Sequence, residues 1–172
     1  LIELFQHLNI ETQQTDMSFG VSINSGDFEY SGGNFIGLFA QKRNLIRPKF
    51  WTMIRDILHF YKDAPNLVAN DAYKNITLGE FLKKQGYSVS FQHNHLLPMG
   101  AAIWSTSVSS MMDYPLTSFV RFCENHGLLK ISNRPEWRTV IGGSHNYVKN
   151  LIESCNFQLL INSAVSKITR EK

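Results

Sequence analysis

Only two cysteines, Cys123 and Cys155, occur in 172 residues. That is too few for a disulfide framework, and each falls in a helix-like apolar pattern, so both are expected to be buried, reduced thiols. Long apolar runs are missing too: Lys, Arg, Asp, Asn or Gln interrupts every stretch before the roughly 20 residues that a membrane helix needs, and no membrane span is expected. Charge of one sign is also scarce. Against 14 Asp+Glu stand 17 Lys+Arg, and basic residues adjoin only at Lys42-Arg43 and Lys83-Lys84, which gives little support to a nucleic-acid partner. The sequence has no Gly-x-Gly-x-x-Gly, Walker or Gly-x-Ser-x-Gly motif, hence no phosphate-cradling turn and no nucleophile elbow. A secretory signal is absent and the thiols read as reduced, so a soluble, cytoplasmic protein is expected. A helical pattern (Leu1, Leu4, Phe5, Leu8) is already running at the first residue with no initiator Met, as in a portion of something longer.

At 43% hydrophobic and 18% charged, the chain can bury a real core in one domain or one large lobe. Met17, Phe19, Val21 and Ile23 alternate with polar residues, Ser25-Gly26-Asp27 can turn the chain, and Phe28-Glu29-Tyr30 can return it, which predicts a β-hairpin over 17–31. Its sheet partners are expected to be the strand at 138–141 and the segment 157–161, giving an antiparallel sheet. Between them the periodicity is helical. Asn34 can cap a short helix, and Pro48 can open a longer one with Phe50, Met53, Ile54, Ile57, Leu58 and Tyr61 on one face and Asp56 turned away. A polar connection is expected over 63–75, then a capping box from Thr77 and Glu80 in a helix closed by Gly86. Pro98 and Gly100 should break the apolar run 87–104. Pro115 should open a helix through Leu116, Phe119, Val120 and Cys123 that Gly127 ends. The fold class predicted is α+β, an antiparallel sheet packed with a helical subdomain.

Candidate chemistry is sparse. His93 and His95 would share one face of a strand, but no acidic or cysteine partner follows at a metal-binding spacing, and no metal site is expected. His126, next to Gly127, suits a helix C-terminus, where it can bond the last carbonyls. No catalytic residue can be named. Trp137 to Val148 carries the most specific pattern: β-branched Val140 and Ile141 end a strand, Gly142-Gly143 make a turn, and Ser144 can cap a helix bearing Tyr147, Val148, Leu151 and Ile152. The helix N-terminus favours a polar or anionic ligand, while the glycines can equally serve the turn's geometry alone.

Ile141-Gly142-Gly143-Ser144-His145-Asn146, followed by Ala164-Val165-Ser166-Lys167-Ile168-Thr169-Arg170, resembles a central segment of the flavin-containing amine oxidase family. Asp16-Met17-Ser18-Phe19, Leu38-Phe39-Ala40-Gln41, the run Leu97 to Ser105, Asn125-His126-Gly127-Leu128-Leu129 and Arg134 to Val140 look like a bacterial branch of predicted NAD/FAD-binding proteins. The resemblance implies that residues 1–160 form a substrate-binding lobe and that 161–172 begin the strand returning to an FAD-binding domain of the same parent chain. It implies FAD as the cofactor of that parent, bound elsewhere and not retained by these residues alone, and a small-molecule substrate whose hydride the flavin takes. By the same likeness Val165 would meet the adenine of FAD, where an ordinary apolar strand residue is the alternative. Gly142, Gly143 and Asn146 would line the substrate cavity, with Trp137 as a wall by proximity, where an ordinary core tryptophan is the alternative. Asn146 stands where monoamine oxidases typically carry Gln, and His145 where they carry Gly, so amine specificity does not follow. A non-catalytic binding or structural module on the same fold is the alternative function.

Overall fold

The computed structural model describes residues 1–155 and 157–170, without the side chain of Phe35. In chain order the elements begin with α1 (Ile2–His7), β1 (Thr12–Thr15), β2 (Gly20–Ile23), β3 (Phe28–Ser31), α2 (Phe35–Leu38), a 3-10 turn (Lys42–Ile46) and α3 (Pro48–Val68). After a 3-10 turn (Asp71–Tyr73) come α4 (Leu78–Lys84), α5 (Val89–Phe91), a π-helical turn (Gln92–Leu96) and α6 (Leu97–Trp104). A 3-10 turn (Ser110–Asp113), α7 (Leu116–Asn125), β4 (Trp137–Val140) and α8 (His145–Ser154) complete the order. Helix accounts for 51% of residues and antiparallel strand for 11%, an α+β fold.

Two compact units divide the chain at 15/16 and 135/136. Asp16–Pro135 form one, inserted between the two segments, Leu1–Thr15 and Glu136–Lys172, that form the other. The inserted unit owns the hydrophobic core. Along α3 the positions Phe50, Met53, Phe60, Ala64 and Leu67 are buried, as helical spacing predicts for one face. Around them close Phe81 and Leu82 of α4, Phe91 of α5, Leu97 of α6 and Phe119, Val120 and Cys123 of α7. Thr77 accepts from Glu80 N–H at 3.1 Å while the Glu80 carboxylate accepts from Thr77 N–H at 2.8 Å, the reciprocal capping box expected from the sequence. Asn34 Oδ1 accepts from Gly37 N–H at 2.7 Å, and His126 Nδ1 lies 2.9 Å from Phe122 O. Both are the capping roles read from the sequence.

The sheet differs from expectation. The hairpin β2–β3 does not pair with the strand at 138–141. It is a two-stranded sheet by itself, and β4 pairs with β1 in register Thr12↔Val140 and Thr15↔Trp137. Side chains close the outer edge of β3: Gln41 Oε1 accepts from Glu29 N–H at 3.1 Å, and Asn44 Nδ2 donates to Glu29 O at 2.9 Å, so no third strand can add there. Strand β1, Thr-Gln-Gln-Thr, has no apolar alternation to betray it. Arg138 ties it to β4 instead, donating from Nε to Thr12 Oγ1 and from a terminal nitrogen to Thr12 O, both at 2.9 Å. The segment 157–161 is not a strand among the described residues, and Phe157, Leu159, Leu160 and Ile161 are exposed.

Helical details depart as well. Helix α3 runs into the expected polar connection as far as Val68, past Pro65, because Ala64 and Leu67 extend its buried face while the proline ring is exposed. Asp56, expected to turn outward, is buried and accepts from Ser88 N–H at 2.9 Å. Burial disfavours its charge, yet the bonds from Ser88 and Arg55 outweigh that and hold its pKa below the ordinary carboxylate value. Leu58, predicted to face inward, is 49% exposed. Pro98 does not break the run 87–104: the preceding π turn shifts the hydrogen-bond register where the proline lacks an N–H, and α6 carries on. Gly100 answers to packing, since a Cβ there would lie 2.7 Å from Met111 Cε and 3.2 Å from Phe119 Cε2. His93 and His95 sit in that π turn rather than on a strand, and only His95 is buried. Cys123 is buried and free, but Cys155 is exposed, because α8 ends at Ser154 and leaves it in extended chain.

Gly79 tests the closeness of this packing. A Cβ there would stand 2.9 Å from the backbone oxygen of Met112, and backbone cannot swing aside. Gly79→Ala should lower unfolding free energy by about 1–3 kcal/mol in a urea titration.

Candidate functional site

The strand-turn-helix from Trp137 to Ser154 lies wholly in the coreless unit. Its turn is tight: Gly142 and Gly143 take φ of +78° and +96°, angles that strain any residue with a Cβ. Gly143 N–H donates to Val140 O at 3.1 Å and Asn146 N–H to Gly143 O at 3.2 Å. Ser144 occupies the N-cap of α8 but makes no capping bond with its side chain. Asn146 does the closing, its Nδ2 donating to Ile141 O at 2.8 Å and lying 2.5 Å from where a Cβ on Gly142 would be. Asn146 Oδ1 is left as the acceptor not engaged by that bond. Gly142, Gly143 and Asn146 are thus brought together. Half-buried Trp137 stands at the other end of β4, about 10 Å from Val140 by strand rise. Val165 is 75% exposed and in no helix or strand. The inside of the glycine turn is filled by the Asn146 amide, and the Gly143 N–H is spent on Val140 O.

The inserted unit holds a second constellation, which the sequence reading missed. Burial leaves His95 5% exposed, between Tyr30 Oη, 2.8 Å from Nδ1, and Tyr61 Oη, 3.3 Å from Nε2. Tyr30 also donates to Asn94 O at 2.8 Å. Its single proton being used there, His95 Nδ1–H donates to Tyr30, and Nε2 accepts from Tyr61, an assignment that satisfies every group. The rings of Phe91 and Phe19 lie 6.0 Å from the imidazole. This apolar cage pushes the His95 pKa down to about 4 and that of Tyr61 up to about 12, and raises Tyr30 as well. All three are neutral at pH 7. Tyr30 is 65 positions from His95 and Tyr61 is 34, and no local signal could have joined them.

Beside Asn94 opens a cleft of about 590 Å³ lined by Ile23, Phe28, Phe50, Arg47 and Lys49, with Asp27 at its margin. Two hydrogen bonds from Arg47, each 2.8 Å, reach the Asp27 carbonyl and carboxylate, and this bonding holds the Asp27 pKa below its ordinary value. The lining supplies apolar surface and cations but no paired acid and base and no activated nucleophile. Among the described residues no group of three or more His, Cys, Asp or Glu could hold a metal, and no helix is long and apolar enough to cross a membrane.

The neutral, caged imidazole has a consequence for stability. Unfolded, His95 takes a proton near pH 6.5; folded, it resists until about pH 4. Between those values the unfolded state binds more protons, so stability present above pH 6.5 should fall by about 3 kcal/mol as pH drops to 4. Denaturant titrations across that range should record the loss, and His95→Gln should flatten it at the cost of lower stability at pH 7. No known protein family and no curated protein matches this chain.

Proposed function

We propose that the chain is the substrate-side lobe of an FAD-dependent oxidoreductase of the flavin amine oxidase kind, in which FAD, held by a dinucleotide-binding domain of the same parent protein, accepts hydride from a small molecule. The observation that carries this is the nesting of the chain. A helical body, Asp16–Pro135, is inserted between two segments whose strands β1 and β4 pair antiparallel, and β4 feeds the Gly142-Gly143 turn and α8. An antiparallel strand pair with a helical body between its strands is of the α+β class expected here for a substrate-binding lobe. The role of this chain is then to shape and polarise the substrate's surroundings, with chemistry left to the cofactor.

Within this proposal Gly142 and Gly143 let backbone approach the substrate, Trp137 offers an apolar wall, and Asn146 presents Oδ1 as an acceptor for a substrate N–H or O–H while its Nδ2 fixes the turn. Val165, in no helix or strand of this chain, would join the FAD domain in the parent protein. The bond from Asn146 to Ile141 also favours a second reading, a non-catalytic module in which the same amide is purely structural.

Expression of the complete gene product separates the two. The oxidoreductase should purify yellow with bound FAD. Asn146→Leu should lower kcat/KM roughly tenfold, one hydrogen bond's worth, with flavin content unchanged, and Asn146→Asp, which keeps an acceptor, should retain more activity. A colourless product without FAD would favour the module, and a flavoprotein indifferent to both substitutions would remove Asn146 from the site.

A further inference from the structure

From Tyr30 to Arg55 the chain has no acidic residue and five basic ones, Lys42, Arg43, Arg47, Lys49 and Arg55. Three are pinned. Arg43 and Arg47 reach Asp27, at 3.6 and 2.8 Å, and Arg55 reaches Asp56 at 2.9 Å, whereas Lys42 and Lys49 are exposed and have no acidic partner among the described residues. Between these cations the chain exposes apolar tips instead of hiding them. Ile46 is 85% exposed, Leu45 47% and Trp51 47%. The Trp51 indole N–H donates to Leu45 O at 2.8 Å, and the ring lies 5.8 Å from Phe39, so indole and 3-10 turn form one fixed platform with its polar N–H already satisfied.

We infer that the platform of Leu45, Ile46 and Trp51, with the unpaired Lys42 and Lys49 of the same stretch, docks on the surface of an anionic lipid bilayer. An aliphatic residue at the end of a short turn, a half-exposed tryptophan bonded to that turn and unpaired lysines in the same acid-free stretch match the division of a lipid interface, where apolar groups enter the acyl boundary and ammonium groups meet the headgroups. A second copy of the chain is a poor occupant, since a two-fold contact would set the same unpaired lysines against each other. Protein interface cores are also depleted in lysine. This assignment is independent of the oxidoreductase proposal.

The full 172-residue chain, sedimented with phosphatidylcholine vesicles with and without phosphatidylserine, tests it. Binding should require phosphatidylserine and weaken with salt. Lys42→Gln and Lys49→Gln should each weaken it about fivefold, and Ile46→Ser about tenfold, with circular dichroism and melting unchanged because all three side chains are exposed. No sedimentation with phosphatidylserine vesicles would overturn the inference. So would binding that ignores Ile46→Ser, which is adsorption by charge alone. A dimer in light scattering that Ile46→Ser dissociates, without vesicle binding, would assign the patch to protein contact.

Discussion

One helix face carries the inserted unit. Phe50, Met53, Phe60, Ala64 and Leu67 of α3 are buried, and rings from three other elements and one link meet them: Phe28 and Tyr30 of β3 near Phe50, and Phe81 of α4, Tyr87 of the α4–α5 link and Phe91 of α5 near Phe60, with centroids 5.7–6.5 Å apart. Each fully buried phenylalanine contributes about 2–3 kcal/mol by area alone, so this cluster outweighs any hydrogen bond in the molecule. It also fixes what surrounds it. The π turn aims His95 at the cluster, and the tyrosines that satisfy the imidazole come from β3 and α3, the two elements that the aromatic packing brings together.

The helical half of this arrangement is written in the sequence because its causes are local. Pro48, the Thr77–Glu80 box, the Leu116–Phe119–Val120–Cys123 spacing and the Gly127 terminus each act within one or two turns, and each stands where the periodicity put it. What failed was pairing at a distance. β1 has two glutamines and two threonines and only a β-branched propensity to mark it, so the partner of β4 was sought in the apolar hairpin. The hairpin's edge was in fact closed by Gln41 and Asn44, polar residues whose role appears only when the chain folds back. Pro98 and Gly100 misled for a related reason. Residues that break a helix in isolation are tolerated when a π turn absorbs one and a crossing helix demands the other.

The candidate site was legible in part. The sequence places Gly142, Gly143 and Asn146 on one turn, and positive φ at both glycines gives the reason for them. It does not tell that the Asn146 amide points back to Ile141, nor that Ser144 leaves the capping to it. The His95 cluster was hidden, since its three members lie on separate elements and only the imidazole drew notice. That difference separates a motif, which is contiguous, from a constellation, which tertiary packing assembles.

The two units should then differ in how they are held. Among the described residues only Leu8 of the buried hydrophobic core belongs to the unit of α1, β1, β4 and α8, where a four-residue ladder, the Arg138 bonds and the Phe5–Tyr147 contact at 5.4 Å do the holding. Native-state hydrogen exchange on the full chain measures this directly. Amides of α3 and α7 should exchange only through global unfolding, and those of β1, β4 and α8 through local opening several kcal/mol lower, as expected where few apolar contacts are buried. Equal protection in both sets would contradict an account in which the inserted aromatic body carries the stability of the fold.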